Sequence, residues 1–96
     1  VKVAFSARAQ AGLRSIALYI ARDNRARAIT FVEELRDKAK ALTEMPLAFP
    51  LVPGHESIGL RRRPHGDYLI LYRVEDARIV ILDIIHAARD WQGLLR

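Results

Sequence analysis

Few side chains in this sequence have chemistry to offer. His86 closes the apolar stretch Ile79-Val80-Ile81-Leu82-Asp83-Ile84-Ile85 and stands directly before Ala87-Ala88-Arg89-Asp90. A histidine there could act as general acid or base in RNA cleavage, with arginines stabilising the charge that develops on the phosphate. The arginines available for that task are Arg61, Arg63 and Arg73, so a ribonuclease centre would rest on His86 with those three. His86 could equally hold a strand end through a hydrogen bond to backbone or to Asp90. Arg61, Arg62 and Arg63 are consecutive, so on a strand Arg61 and Arg63 project from one face and Arg62 from the other. Arg73, on the next strand, could join the Arg61/Arg63 pair across the turn. Guanidinium groups so gathered grip phosphates or acidic side chains, and the same residues also protect an edge strand from aggregation by charge.

The other candidates are weaker. His65 lies in a turn with Gly66, and His55 in a proline-containing segment, both in the manner of surface histidines. The three histidines lack the close spacing of a metal site. The absence of cysteine excludes a disulfide framework, a thiolate zinc site and a thiol nucleophile. Glu33/Glu34 and Glu75/Asp76 are sequence neighbours, and adjacent positions on a helix do not face each other. The five glycines are scattered, with no phosphate-cradling loop. Tyr68 and Tyr72 share a strand face and could stack on bases, although alternate aromatics also suit a core. No metal and no cofactor is expected.

The elements that must position these residues follow from periodicity. Val1 to Phe5 reads as a short strand. Ser6 can cap a helix, in which Leu13, Ile16, Ala17 and Ile20 recur at the spacing of one helical face as far as about Arg22. Asp23-Asn24 breaks the pattern, and Ala28, Phe31, Val32, Leu35, Ala39 and Leu42 trace a second stripe. So short a break requires an antiparallel helical hairpin. Met45-Pro46 stops it, and Pro50 and Pro53-Gly54 keep the next dozen residues irregular. Three strands follow: Ile58 to Arg63, Tyr68 to Val74 and Ile79 to His86, joined by turns at Pro64-His65-Gly66-Asp67 and Glu75-Asp76-Ala77-Arg78. The tail from Ala87 to Arg96 could add a short helix with Trp91, Leu94 and Leu95 on its apolar side.

The expected architecture is α+β in the order β-α-α-β-β-β, one domain over residues 1–96, with the helical hairpin on one face of an antiparallel sheet. The last two strands are apolar on both faces: Ile79, Ile81 and Ile85 alternate with Val80, Leu82 and Ile84. Two helices cover only one face, so the second points to a partner, a homodimer contact included, unless the proline loop and the tail fold over it.

Composition narrows the partner. The 96 residues carry 16 Lys+Arg against 11 Asp+Glu, a net +5, and 13 of the cations are arginine. That bias favours an anionic partner. No apolar run approaches the roughly 20 residues that span a bilayer, and no signal-like start is present, so a cytoplasmic protein without a membrane partner is expected.

Four features together resemble the ParE branch of the RelE/ParE toxin superfamily, over nearly the whole chain. They are the order of elements, the second helix through Phe31-x3-Leu35 to Leu42-x3-Pro46, the block from Leu60-Arg61-Arg62 to Tyr68-Leu69-Ile70-Leu71-Tyr72-Arg73-Val74, and the ending Ile79-x-Ile-Leu-x-Ile-Ile-His86-Ala-Ala-Arg89-Asp90. The resemblance implies a bacterial type II toxin, held inactive by a cognate antitoxin whose amphipathic, acidic C-terminal segment folds along it. A toxin homodimer, or a heterotetramer with antitoxin, is compatible with it.

RelE-like members cut messenger RNA in the ribosome using basic residues and a Tyr or His close to the C-terminus, whereas ParE-like members poison DNA gyrase. The tail after His86 offers neither Tyr nor His, and its Arg-Asp-Trp ending looks like the ParE side. The expected function is therefore gyrase inhibition by binding, with no catalytic residue. A RelE-like mRNA endonuclease is the alternative, and a basic nucleic-acid-binding module, whose usual signatures are absent, the second. The expected contact residues for antitoxin or target are Arg61, Arg62, Arg63, Arg73, His86, Arg89 and Trp91.

Overall fold

The structure is a computed structural model and describes residues 2–88. Its elements are β1 (Lys2–Phe5), α1 (Ala7–Ala21), α2 (Arg25–Lys40), β2 (Arg61–His65), β3 (Tyr68–Glu75) and β4 (Arg78–His86), with single 3-10 turns at Ala41–Thr43 and Glu56–Ile58. The expected order of elements is therefore observed. The terminal helix considered for the tail falls outside the described residues.

Local signals start both helices. The Ser6 hydroxyl accepts from the Ala9 amide at 3.0 Å, and the Asn24 side chain accepts from the Arg27 amide at 2.9 Å, each satisfying a donor that the first turn leaves free. The hairpin then lays Leu13, Ile16, Phe31 and Leu35 against Ile70, Tyr72, Ile79, Ile81 and Ile84 of the sheet, forming the main core. α1 sits unusually close to β4. A Cβ added at Gly12 would lie 2.8 Å from the Ile84 carbonyl oxygen, so only glycine permits this approach.

The sheet differs from the expected antiparallel one in its first strand. Its order is β1-β4-β3-β2: β2, β3 and β4 form the antiparallel meander, but β1 joins the far edge parallel to β4. The hairpin and proline loop carry the chain from that edge across the sheet to β2, which leaves β1 beside the last strand.

A second difference lies within β4. Leu71 pairs with Asp83 but Tyr72 with Ile81, so Leu82 is an extra residue, a β-bulge. The slip inverts the faces beyond it: Ile84 joins the helix-side core and Ile85 the opposite cluster, the reverse of strict alternation. Ser6 secures this irregularity as well as capping α1, since its amide donates to the Ile81 carbonyl at 3.0 Å and its hydroxyl to the Leu82 carbonyl at 2.8 Å.

The third correction concerns the outer face of the sheet. Val52 and Leu60, on either side of the Pro53-Gly54 turn, are fully buried against Leu69, Leu71 and Ile85 in a second core cluster. The proline loop is therefore a cover for much of the face that, left bare, would have pointed to a partner. Ala4, Val80 and Leu82 on the same face stay partly exposed.

Candidate interaction surfaces

Strand register divides the arginine run. Arg61 and Arg63 lie opposite Tyr72 and Ile70, whose side chains belong to the helix-side core, so both arginines point that way. There they are engaged by backbone. The Arg61 guanidinium donates to the Phe49 carbonyl at 2.7 Å and to that of Leu47 at 3.4 Å, pinning the proline loop to the sheet edge. Arg63 donates to the Lys38 carbonyl near the end of α2 at 3.2 Å and stacks over Phe49 at 4.7 Å from the ring centroid. Tyr72 completes the tie by donating to the Pro46 carbonyl at 2.8 Å, and burial pushes its phenol pKa up.

Arg62 lies opposite Leu71 and faces outward. Arg73 alternates with Tyr72 and is outward too, so it does not join Arg61 and Arg63. On this outer face Arg62 and Arg73 share the sheet with Lys2 and Arg78, which pair with each other across β1 and β4. One acid lies among them. Glu75 takes the Arg73 Nε at 2.9 Å and Arg78 at 3.2 Å, and the Arg73 bond leads in holding its carboxyl below the usual range. Arg62 has no ion-pair partner among the described residues. The result is a basic band beside the partly exposed Ala4, Val80 and Leu82. Lys2 and Arg78 were absent from the sequence expectation: Arg78 read as part of a turn rather than as the first residue of β4, and only the parallel pairing of β1 sets Lys2 beside it.

His86 is placed elsewhere. It forms a row with His65 and Tyr68 across one end of the sheet, on the helix side. Its ring meets Tyr68 edge-on at 5.2 Å, Tyr68 packs on Phe31 at 5.5 Å, and Phe31 on His65 at 5.3 Å. His65 Nε2 lies 2.9 Å from Glu34, which also receives Arg27 at 2.6 Å; the Arg27 bond is the main cause that lowers the Glu34 pKa. His86 Nδ1 accepts from the Ala88 amide at 3.1 Å, and the Ala87 amide donates to the Asp67 carbonyl. The histidine thus finishes the strand by a backbone hydrogen bond, the structural role weighed for it in the sequence.

Beside His86 opens a cleft of about 610 Å³ between α1 and β4, lined by Arg8, Ser15, Tyr19, Tyr68 and Asp83 among others. Burial pushes the Asp83 pKa up, against the Ile84 amide and the Arg8 guanidinium, which lies 3.2 Å away. Arg61, Arg63 and Arg73 are absent from this cleft. Counted along β3 at about 3.3 Å per residue, Arg73 stands roughly 17 Å from the level of His86, Arg61 roughly 13 Å, and Arg63 roughly 7 Å but two strands away. The described residues hold no cluster of His, Asp or Glu suited to a metal ion. Arg89 and Trp91 lie outside the described residues.

A family model for the ParE toxin of the type II toxin–antitoxin system parDE matches residues 3–91. The chain belongs to the ParE toxin family. The fold of this ParE-family chain is similar to a chain of the chromosomal ParDE system of P. aeruginosa, with TM-score 0.73 and 21% identity over 90% of this chain and 95% of that one. It is also similar to a chain of the RelBE2 toxin–antitoxin complex of Mycobacterium tuberculosis, with TM-score 0.66 and 24% identity over 92% of each. No curated protein matches the sequence. Among the described residues, no helix of this ParE-family domain is long and apolar enough to cross a membrane.

Proposed function

We propose that this chain inhibits DNA gyrase by binding and is neutralised by a cognate antitoxin. The observation that carries this over RNA cleavage is that Arg61, Arg63 and Arg73 all stay out of the cleft beside His86 and are engaged elsewhere. A phosphodiester bound at His86 would lack those three guanidinium groups, two of which are occupied by carbonyls and one by Glu75. Inhibition by binding needs no assembled acid–base pair. The outer face supplies what it does need: the cations Lys2, Arg62, Arg73 and Arg78 around partly exposed apolar side chains. An amphipathic, acidic antitoxin segment suits the same band, its apolar side on Val80 and Leu82 and its carboxylates on the arginines. Family membership supports the pairing with an antitoxin, and both similar structures are described as toxin–antitoxin systems.

The test compares two assays on purified chain freed of antitoxin: supercoiling by gyrase and cutting of ribosome-bound message. Supercoiling should be inhibited and message left intact, with His86→Ala changing neither result. Message cleavage that His86→Ala abolishes, with supercoiling untouched, would overturn the reading in favour of an endonuclease.

A further inference from the structure

The solvent side of the helical hairpin carries a feature that neither the core nor the outer sheet face uses. Between α1 and α2 runs an apolar groove of about 410 Å³. Leu18 and Ile29 stand along it, 72% and 63% exposed, where an amphipathic helix would ordinarily place polar residues. Ala21 and Ala28 form the hollow between them. Arg25 and Glu33, both on α2, lie along the same groove. Neither has an ion-pair partner among the described residues.

The signs and spacing select an occupant. Arg25 and Glu33 are each four residues from Ile29, about 6 Å along the helix axis on either side. The stripe therefore reads cation, apolar, anion, antisymmetric about its middle. An acidic peptide would gain Arg25 but be opposed by Glu33, and a basic one the reverse. A second copy of the same stripe, turned about a two-fold axis at Ile29, sets Arg25 against Glu33 twice over. We propose that two copies of this chain associate through antiparallel packing of α2 on α2, with Ile29 at the centre and two Arg25–Glu33 pairs across the axis. Such an interface is isologous and closed, so it stops at a dimer. Ile29 of each copy meets Ile29 of the other on the axis, flanked by Leu18 and the alanine hollow of both copies. A charge of +5 on each copy opposes association, which makes the dimer weak and stronger once salt screens the long-range repulsion. The helices leave the outer sheet face free, so this inference does not rest on the proposed target.

Sedimentation equilibrium of the full chain tests it. The chain should pass from monomer to dimer with concentration, and Ile29→Lys should abolish the dimer without lowering the melting temperature, because Ile29 is exposed. R25E and E33R should each raise the dissociation constant about tenfold, and the R25E/E33R double variant should return to within about threefold of the parent. A monomer at every concentration, a dimer indifferent to Ile29→Lys, or a double variant no better than the singles would overturn the proposal. So would charge reversals that disrupt antitoxin binding and leave the dimer intact.

Discussion

On the helix side of the sheet, Arg61 and Arg63 donate to backbone carbonyls of the proline loop and of α2, and the Phe49 ring packs on Arg63. On the outer side Arg62, from the same run, meets no acid among the described residues, and Arg73 is held by one glutamate at the surface. Three consecutive residues of one type thus divide between fastening the domain and presenting charge. Parity along the strand decides which. The inner pair closes the sheet edge where β2 would otherwise lie open, while the outer pair leaves donors for a partner.

That contrast can be broken by substitution. The largest effect should come from Arg61→Ala, which leaves the Phe49 carbonyl without its charged donor and frees the loop carrying Val52. A charge-assisted bond of this kind contributes about 2 kcal/mol, which in a domain of this size lowers the melting temperature by roughly 10 °C in a thermal scan. Arg63→Ala should cost about half as much, since its bond is longer and its setting more exposed.

The outer arginines should behave the other way. Arg62→Ala and Arg73→Ala should leave stability within about 0.5 kcal/mol. In titration calorimetry each should weaken antitoxin binding severalfold, the losses shrinking at high salt. If Arg62→Ala unfolds the domain as Arg61→Ala does, the division between faces is wrong.

A smaller effect sharpens the comparison at neighbouring acids. The Asp83 pKa is raised, so its contribution to stability is present below the ordinary aspartate range and is lost as pH rises through the raised value. Glu34 and Glu75 are lowered, so theirs is present above the ordinary range and lost as pH falls through their lowered values. Asp83→Asn should therefore stabilise slightly at neutral pH, by no more than about 1 kcal/mol, because its Arg8 partner is mostly exposed. The gain should vanish in acid. Melting curves of the variant and parent from neutral to acidic pH read both signs.

Much of this was legible in the sequence because it is local. Ser6 and Asn24 announce helix starts through their own side chains, Pro46 ends the hairpin, and the alternation of Arg61, Arg62 and Arg63 needs no tertiary knowledge. What escaped was non-local or unmarked. Whether β1 lies beside β2 or β4 depends on how far the hairpin carries the chain, and no residue of β1 encodes it. The bulge escaped because β4 is apolar in both phases, so a one-residue slip leaves the hydrophobic pattern intact; Asp83 is its sole polar residue between Arg78 and His86. Val52 and Leu60 gave no periodic signal, yet they cover much of the outer face. Arg8, Ser15 and Tyr19 of the cleft lie on α1 outside its apolar stripe, and only the close approach at Gly12 gives them a neighbour in β4.

The bulge at Leu82 also acts on the strand as a frameshift acts on a message. A scan of polar substitutions along β4 should show intolerance at every second position, at Ile79 and Ile81 where the main core is deepest. Beyond Leu82 that beat should resume one step out of phase, with Ile84 taking the place that unbroken counting gives to Ile85. Deleting Leu82 would remove the bulge and leave the pairings on either side as they are, with Ile84 and His86 still on the helix side and Ile85 still on the outer face. Had Leu82 paired in register instead, the same strand would present Ile85, not Ile84, to the main core, so a single residue with no chemistry of its own absorbs the step that sets the side from which the strand's last side chains act.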